Sequence, residues 1–190
     1  MDIKCAVCGE LHDIDQMEPS FRRPDAFLKV PPAERPARTR ESNDACVIRD
    51  AEGTESRCYL RVLMPFRVTG REGLYSWGVW VEVAEDDFNQ AMSLWDDPQQ
   101  SDTPAFAATL ANALPGYDGS FGLPGLVALQ DPTTIPHFRL SGPADHPLVL
   151  EQRSEVTPER VLEWVQPMFH PAPAAPPRRG RFNGTDRNPR

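Results

Sequence analysis

The sequence predicts an α+β fold: an antiparallel sheet of about five or six strands with two or three helices packed on it, an N-terminal knuckle and a disordered C-terminal tail. Three features of the chain lead there. "LYSWGVWVEV" (74–83) alternates with a period of two, so Tyr75, Trp77, Val79, Val81 and Val83 share one face. "EDDFNQAMSLWDD" (85–97) switches to a helical period, with Phe88, Ala91, Met92 and Trp95 on one stripe. The 190 residues include 21 prolines, about twice the ordinary share, which break long helices and multiply loops.

In chain order, residues 1–13 carry a knuckle-like cluster taken up below. Residues 14–43 contain five prolines and predict a long irregular loop, pinned to the core by Phe21, Phe27, Leu28 and Val30. "CVIRD" (46–50) and "RCYLRVLMPF" (57–66) read as strands, the second covered on both faces, and 74–83 completes an antiparallel meander. Helix 85–97 opens with Glu85, Asp86 and Asp87, where its dipole favours negative charge, and closes at Pro98. "PAFAATLANAL" (104–114) reads as a second helix ended by Pro115-Gly116. Segments 125–131, 136–141 and 146–153 read as three more strands between proline turns. The last helix, 157–170, takes Thr157 as N-cap and Pro158 at its first position, and buries Val161, Leu162, Val165, Met168 and Phe169. Residues 1–170 form one domain. Residues 171–190 have one large apolar side chain, Phe182, and form a disordered Pro/Arg-rich tail.

The net charge is −8, and residues 1–170 carry 15 basic against 27 acidic side chains. That field disfavours nucleic acid as a partner of this part. Neither a membrane-length apolar stretch nor a secretory apolar core is visible, which predicts a cytoplasmic protein with reduced thiols.

Chemistry concentrates in Cys5-Ala-Val-Cys8-Gly9-Glu10-Leu11-His12. Two thiols separated by two residues can point to one centre from a tight turn, Gly9 lets the backbone fold beneath them, and His12 reaches the same centre. A closed structural zinc site needs four ligands, so the fourth comes from a distance. Cys46, which opens a strand, is the better candidate; Cys58 shares a strand face with Leu60, Val62 and Met64 and reads as a buried inert thiol. A redox pair is the rival reading, but no strong helix begins at Cys8 to lower its pKa. The nucleophile-elbow, phosphate-loop, dinucleotide and metalloprotease motifs are absent. His137, His146 and His170 read as turn or edge residues, and Asp145, His146 and Glu151 do not converge along a strand.

Several stretches together resemble the bacterial family catalogued as domain of unknown function 2199: "CAVCGELHD" (5–13), "NDACVI" (43–48), "WGVWVEVAEDDF" (77–88), "LANALPGY" (110–117) and "DHPLVLEQR" (145–153). The resemblance spans about residues 3–171 and carries no assigned activity. It implies that Cys46 rather than Cys58 belongs with Cys5, Cys8 and His12. Ala84 departs from the family pattern, where a serine N-cap fits better. The resulting expectation is a binding or structural module with a Zn²⁺ clip (Cys5, Cys8, His12, Cys46), acting on another protein. The alternative is a metal-dependent hydrolase or a thiol oxidoreductase built on the Cys5/Cys8 pair.

Overall fold

The computed structural model describes residues 1–5 and 8–169. A hairpin of β1 (Asp2–Lys4) and β2 (Leu11–Asp13) leads through a 3₁₀ turn at Ile14–Gln16 to two short helices, α1 (Asp25–Lys29) and α2 (Arg35–Arg38). Then come β3 (Thr39–Glu41), β4 (Ala45–Arg49), β5 (Ser56–Val68), β6 (Leu74–Val83) and α3 (Glu85–Ser93). The chain continues with β7 (Phe106–Leu110), β8 (Pro124–Ala128), β9 (His137–Leu140), α4 (Pro147–Arg153), β10 (Glu155–Val156) and α5 (Pro158–Phe169). The structure is mixed α+β, as the sequence leads one to expect, but the sheet does not lie open. β5, β6, β7, β8 and β9 pair in that order, and β9 returns to β5 in parallel at Leu63↔His137, closing a five-stranded ring.

The closure rests on β5. One edge of it pairs antiparallel with β6, from Cys58↔Val83 to Arg67↔Leu74. The other edge is shared by three strands: β4 along Ser56–Leu60, β9 at Leu63 and β10 at Arg67–Val68. The N–H groups of Arg61, Leu63 and Thr69 point that way, donating to Asp44, Pro136 and Val156 carbonyls at 2.8, 2.8 and 2.9 Å. Pro65 falls in the same alternation, at the gap between β9 and β10, so its missing N–H removes no ladder bond.

Alternation along β5 and β6 then sorts the core. Cys58, Leu60, Val62, Met64 and Phe66, with Tyr75, Trp77, Val79, Val81 and Val83, are buried in one large cluster with Leu110, Val127 and Phe138. Gly125 makes room for the Phe138 ring: a Cβ there would lie 2.5 Å from the Arg139 carbonyl oxygen. The opposite face is buried separately, where Phe27 and Val30 cover Cys46, Ile48, Tyr59 and Trp80. Leu28, expected to pin this region, is exposed instead.

Three segments differ from the sequence reading. Residues 104–114 contain a strand, because the free edge of β6 at Val81–Val83 takes β7 and its alternation turns Ala108 and Leu110 inward. Alanine-rich helix propensity is a fraction of a kilocalorie per residue and yields to that pairing. Residues 146–153 form a helix, not a strand. His146 caps it: its Nδ1 accepts from the Leu148 N–H at 3.2 Å, so Nε2 carries the proton and donates to the Asp118 carbonyl at 3.1 Å. Pro147 stands at the first turn, a signal of helix start already visible in the sequence. Within 14–43 the chain is more regular than expected, and α3 ends at Ser93, leaving Met92 exposed. The tail at 171–190, His170 and the side chains of Met168 and Phe169 lie outside the described residues.

Gln152 closes the barrel rim. Its side chain accepts from the Leu140 N–H at 2.7 Å and donates to the Phe138 carbonyl at 2.9 Å, satisfying the β9 edge from α4. Gln152→Leu leaves both backbone groups buried and unpaired and is expected to cost about 2–4 kcal/mol in urea denaturation. Gly125→Ala is expected to cost about 1–3 kcal/mol in the same measurement, by forcing the strand backbone and the Phe138 ring apart.

Candidate metal centre

The N-terminal hairpin builds the site. β1 and β2 pair from Asp2↔Asp13 to Lys4↔Leu11. In the link between them, the Cys5 N–H donates to the Glu10 carbonyl at 2.8 Å and the Gly9 N–H to the Cys5 carbonyl at 2.9 Å. Gly9 has φ of +76°, the left-handed conformation that side chains resist. Folded this way, the link brings Cys5, Cys8 and His12 together, with one donor atom of each within 4.8 Å of the others. Cys8 Sγ lies 3.3 Å from His12 Nε2. Ligands bound tetrahedrally at about 2.0–2.3 Å from zinc stand about 3.5–4 Å apart, so the cluster reaches coordination by contracting about 1 Å at its widest.

The three groups differ in setting. Cys5 is buried against Leu162 and Val165 of α5, with Ile3 and Met17 alongside. Cys8 is exposed and His12 half-buried. The hairpin is also tied down electrostatically. The Met1 ammonium donates to Asp13 at 2.8 Å and to Asp15, and Arg71 donates to Asp15 at 2.6 Å. Bonding to Asp13 and Asp15 raises the Met1 ammonium pKa to about 10. The same contacts hold both carboxyls below their ordinary range, Asp13 mainly through Met1 and Asp15 mainly through Arg71.

α5 is itself held by a polar network. Tyr117 Oη accepts from Trp164 Nε1 at 2.6 Å and from Arg160 at 3.2 Å, and donates to Glu151. Arg160 Nε also donates to Glu151 at 2.9 Å. Glu151, read from the sequence as a strand residue beside Asp145 and His146, therefore works as a joint between α4 and α5.

Cys46 is the correction. It is not among the three converging groups. Its strand alternates, so Ala45 faces the barrel core, while Cys46 and Ile48 face outward beside Trp80 and beneath Phe27 and Val30. Cys5 belongs to a different cluster, on α5. Burial pushes the Cys46 thiol up to about 12. Cys58 lies on the core face with Leu60, Val62 and Met64, and burial raises its pKa too. Among the described residues no cysteine forms a disulfide. The hairpin strands and the Leu162–Val165 wall were missed as parts of the site. The signal for the strands was there: two short polar–apolar alternations flank a Cys-Gly turn.

A Cys-Cys-His hairpin docked on a closed α+β barrel is thus the class of protein that the fold and site define. The chain belongs to the family described as an uncharacterized protein conserved in bacteria (DUF2199), whose model matches residues 4–156. That span takes in the cysteine turn, the ring and β10, and stops before α5. No curated protein and no solved structure matches the chain. Among the described residues, no helix is long and apolar enough to cross a membrane.

Iodoacetamide at about pH 8 is expected to leave Cys46 and Cys58 unmodified in the folded protein, because both are buried and their raised pKa values keep them as thiols. Both become modified in denaturant. Peptide mass mapping of the two samples checks this.

Proposed function

We propose that Cys5, Cys8 and His12 hold one Zn²⁺ ion, and that this ion is structural: it fastens the β1–β2 hairpin against α5 in a protein that works as a binding or structural module. The observation that carries the reading is the convergence of three donor atoms within 4.8 Å of one another, the innermost on a buried cysteine. Two thiolates and an imidazole select zinc over hard cations such as magnesium and calcium. A hairpin this short cannot bury enough surface to stabilise itself, so a cation joining its two strands supplies what burial does not.

A second reading has one specific observation in its favour: among the described residues three donors converge, which leaves one coordination position for water. A zinc-bound water becomes a nucleophile near neutral pH, which is the basis of a metal-dependent hydrolase. The structural role has the better support, because Cys8 lies exposed on a hairpin turn, while the furrow of about 750 Å³ is lined by residues of α1, α2, β3 and their flanking loops. The thiol-oxidoreductase reading has less, since the pair sits in a hairpin link and not at a helix N-terminus.

Protein purified under reducing conditions without chelator is expected to carry about one zinc per chain by atomic emission. Cys8→Ser and His12→Ala are expected to weaken zinc by at least about tenfold. Cys46→Ala keeps full metal while losing stability through its cavity. Less than about 0.2 zinc per chain in the unaltered protein removes the clip. X-ray absorption at the zinc edge separates the two roles: a light fourth scatterer exchangeable with azide supports the open, hydrolytic site.

A further inference from the structure

Three depressions run together on the side of the molecule covered by α1. The first, about 750 Å³, is lined by Phe21, Phe27, Arg22, Arg23 and Arg35, among others. The second, about 390 Å³, shares Phe21, Arg22, Arg23 and Asn43 with it. The third, about 180 Å³, shares Asp44 and Ile135 with the second and ends at Trp95 and Gln100. Shared lining makes them one elongated furrow with two chemically different ends.

At the wide end, two guanidiniums flank one ring: Arg35 lies 4.8 Å and Arg23 5.7 Å from the Phe27 centroid. Arg23 is neutralised by Glu41. Arg35 donates only Nε, to the Val30 carbonyl at 3.0 Å, and among the described residues neither it nor the exposed Arg22 pairs with a carboxylate. Asp25, which also lines the first depression, has its carboxylate engaged elsewhere. Its two oxygens accept from Asn112 Nδ2 at 3.0 Å and from the Ala113 N–H at 2.8 Å. Asn112, fully buried, also donates to the Arg23 carbonyl at 2.9 Å and accepts from the Trp80 N–H at 2.8 Å, so this wall is preformed. On a chain of net charge −8, the guanidiniums of Arg22 and Arg35 stand without a carboxylate partner among the described residues and are open to a partner's.

We propose that this furrow binds an extended acidic polypeptide segment. Side-chain carboxylates of the partner accept from Arg22 and Arg35, whose planar forks can donate bidentately. The elongation of the furrow suits a chain more than a compact ligand. The inference deepens the binding-module reading by naming the class of partner, and it is independent of the metal clip.

The test uses the full chain and a fluorescein-labelled, N-acetylated hexaglutamate as probe, followed by anisotropy at low salt. Saturable binding is expected below about 1 mM, weakening as salt rises. Arg22→Glu, at an exposed side chain without a bond to lose, is expected to weaken it at least about tenfold, and Arg35→Glu likewise. Hexalysine should not bind. The idea is overturned if hexaglutamate fails to saturate, if Arg22→Glu binds it as well as the unaltered protein does, or if millimolar inorganic phosphate displaces it fully, which would mark a simple anion site. Zinc content of the unaltered protein keeps the two readings apart: metal present without hexaglutamate binding condemns the furrow alone, and hexaglutamate binding without metal condemns the clip alone. Thermal unfolding of each variant by circular dichroism verifies folding, and Arg22→Glu decides if Arg35→Glu does not fold.

Discussion

The Leu63 N–H donating to the Pro136 carbonyl is a small interaction with large consequences. It is where β9 meets β5 between β4 and β10, and the run from β5 to β9 becomes a ring. Closure covers the edge of β9 that would invite pairing with other chains, and it obliges every alternate residue of β5 and β6 to point into one shared interior. Because β5 is 13 residues long, its second edge has room for β4 before the closure and β10 after it. The helices then cover what the ring leaves open, with Leu148 and Val149 of α4 and Val161 and Trp164 of α5 completing the core.

That arrangement also determines what the outer face can do. Once inward positions are taken by large apolar side chains, the outward positions of β4 and β5 divide between a second buried patch under α1 and arginines facing solvent. Cys46 and Tyr59 fall in the patch, and Arg57 and Arg61 pair with Glu82 and Asp44. The patch in turn anchors α1 with Phe27 and Val30, and α1 carries the wall of the furrow. The metal centre stands on another part of the same scaffold. Its position depends on α5, which depends on the Tyr117–Glu151–Arg160–Trp164 joint. Three polar side chains and an indole N–H satisfy one another there in a half-buried setting, where each would be costly alone.

The two proposed activities draw on different physics. The clip relies on soft donors and on the poor intrinsic stability of a two-stranded hairpin. The furrow relies on charges whose internal partners have been assigned elsewhere: Glu41 to Arg23, Asp44 to Arg61, and Asp25 to backbone and amide N–H groups. Both regions lean on the same core: Ile3 of the hairpin and Phe21 and Trp95 of the furrow pack against its large cluster.

Much was legible in the chain by itself. The period-two alternation of residues 74–83 located β6 to the residue, since both faces of a strand announce themselves locally. The Thr157-Pro158 start located α5, and the two-residue cysteine spacing with Gly9 and His12 located three donors that do converge. These are short-range features, decided by neighbours within a turn or two. What the tertiary structure alone decided is long-range: that the sheet closes, that Phe106–Leu110 pairs as a strand despite its helix-forming composition, and that Cys46 looks outward under Phe27 and not toward Cys5. Strand pairing and the choice of which face is covered depend on residues tens of positions away. A local pattern can say that a strand has two faces, but only the packed molecule says which of them meets α1 and which meets the core.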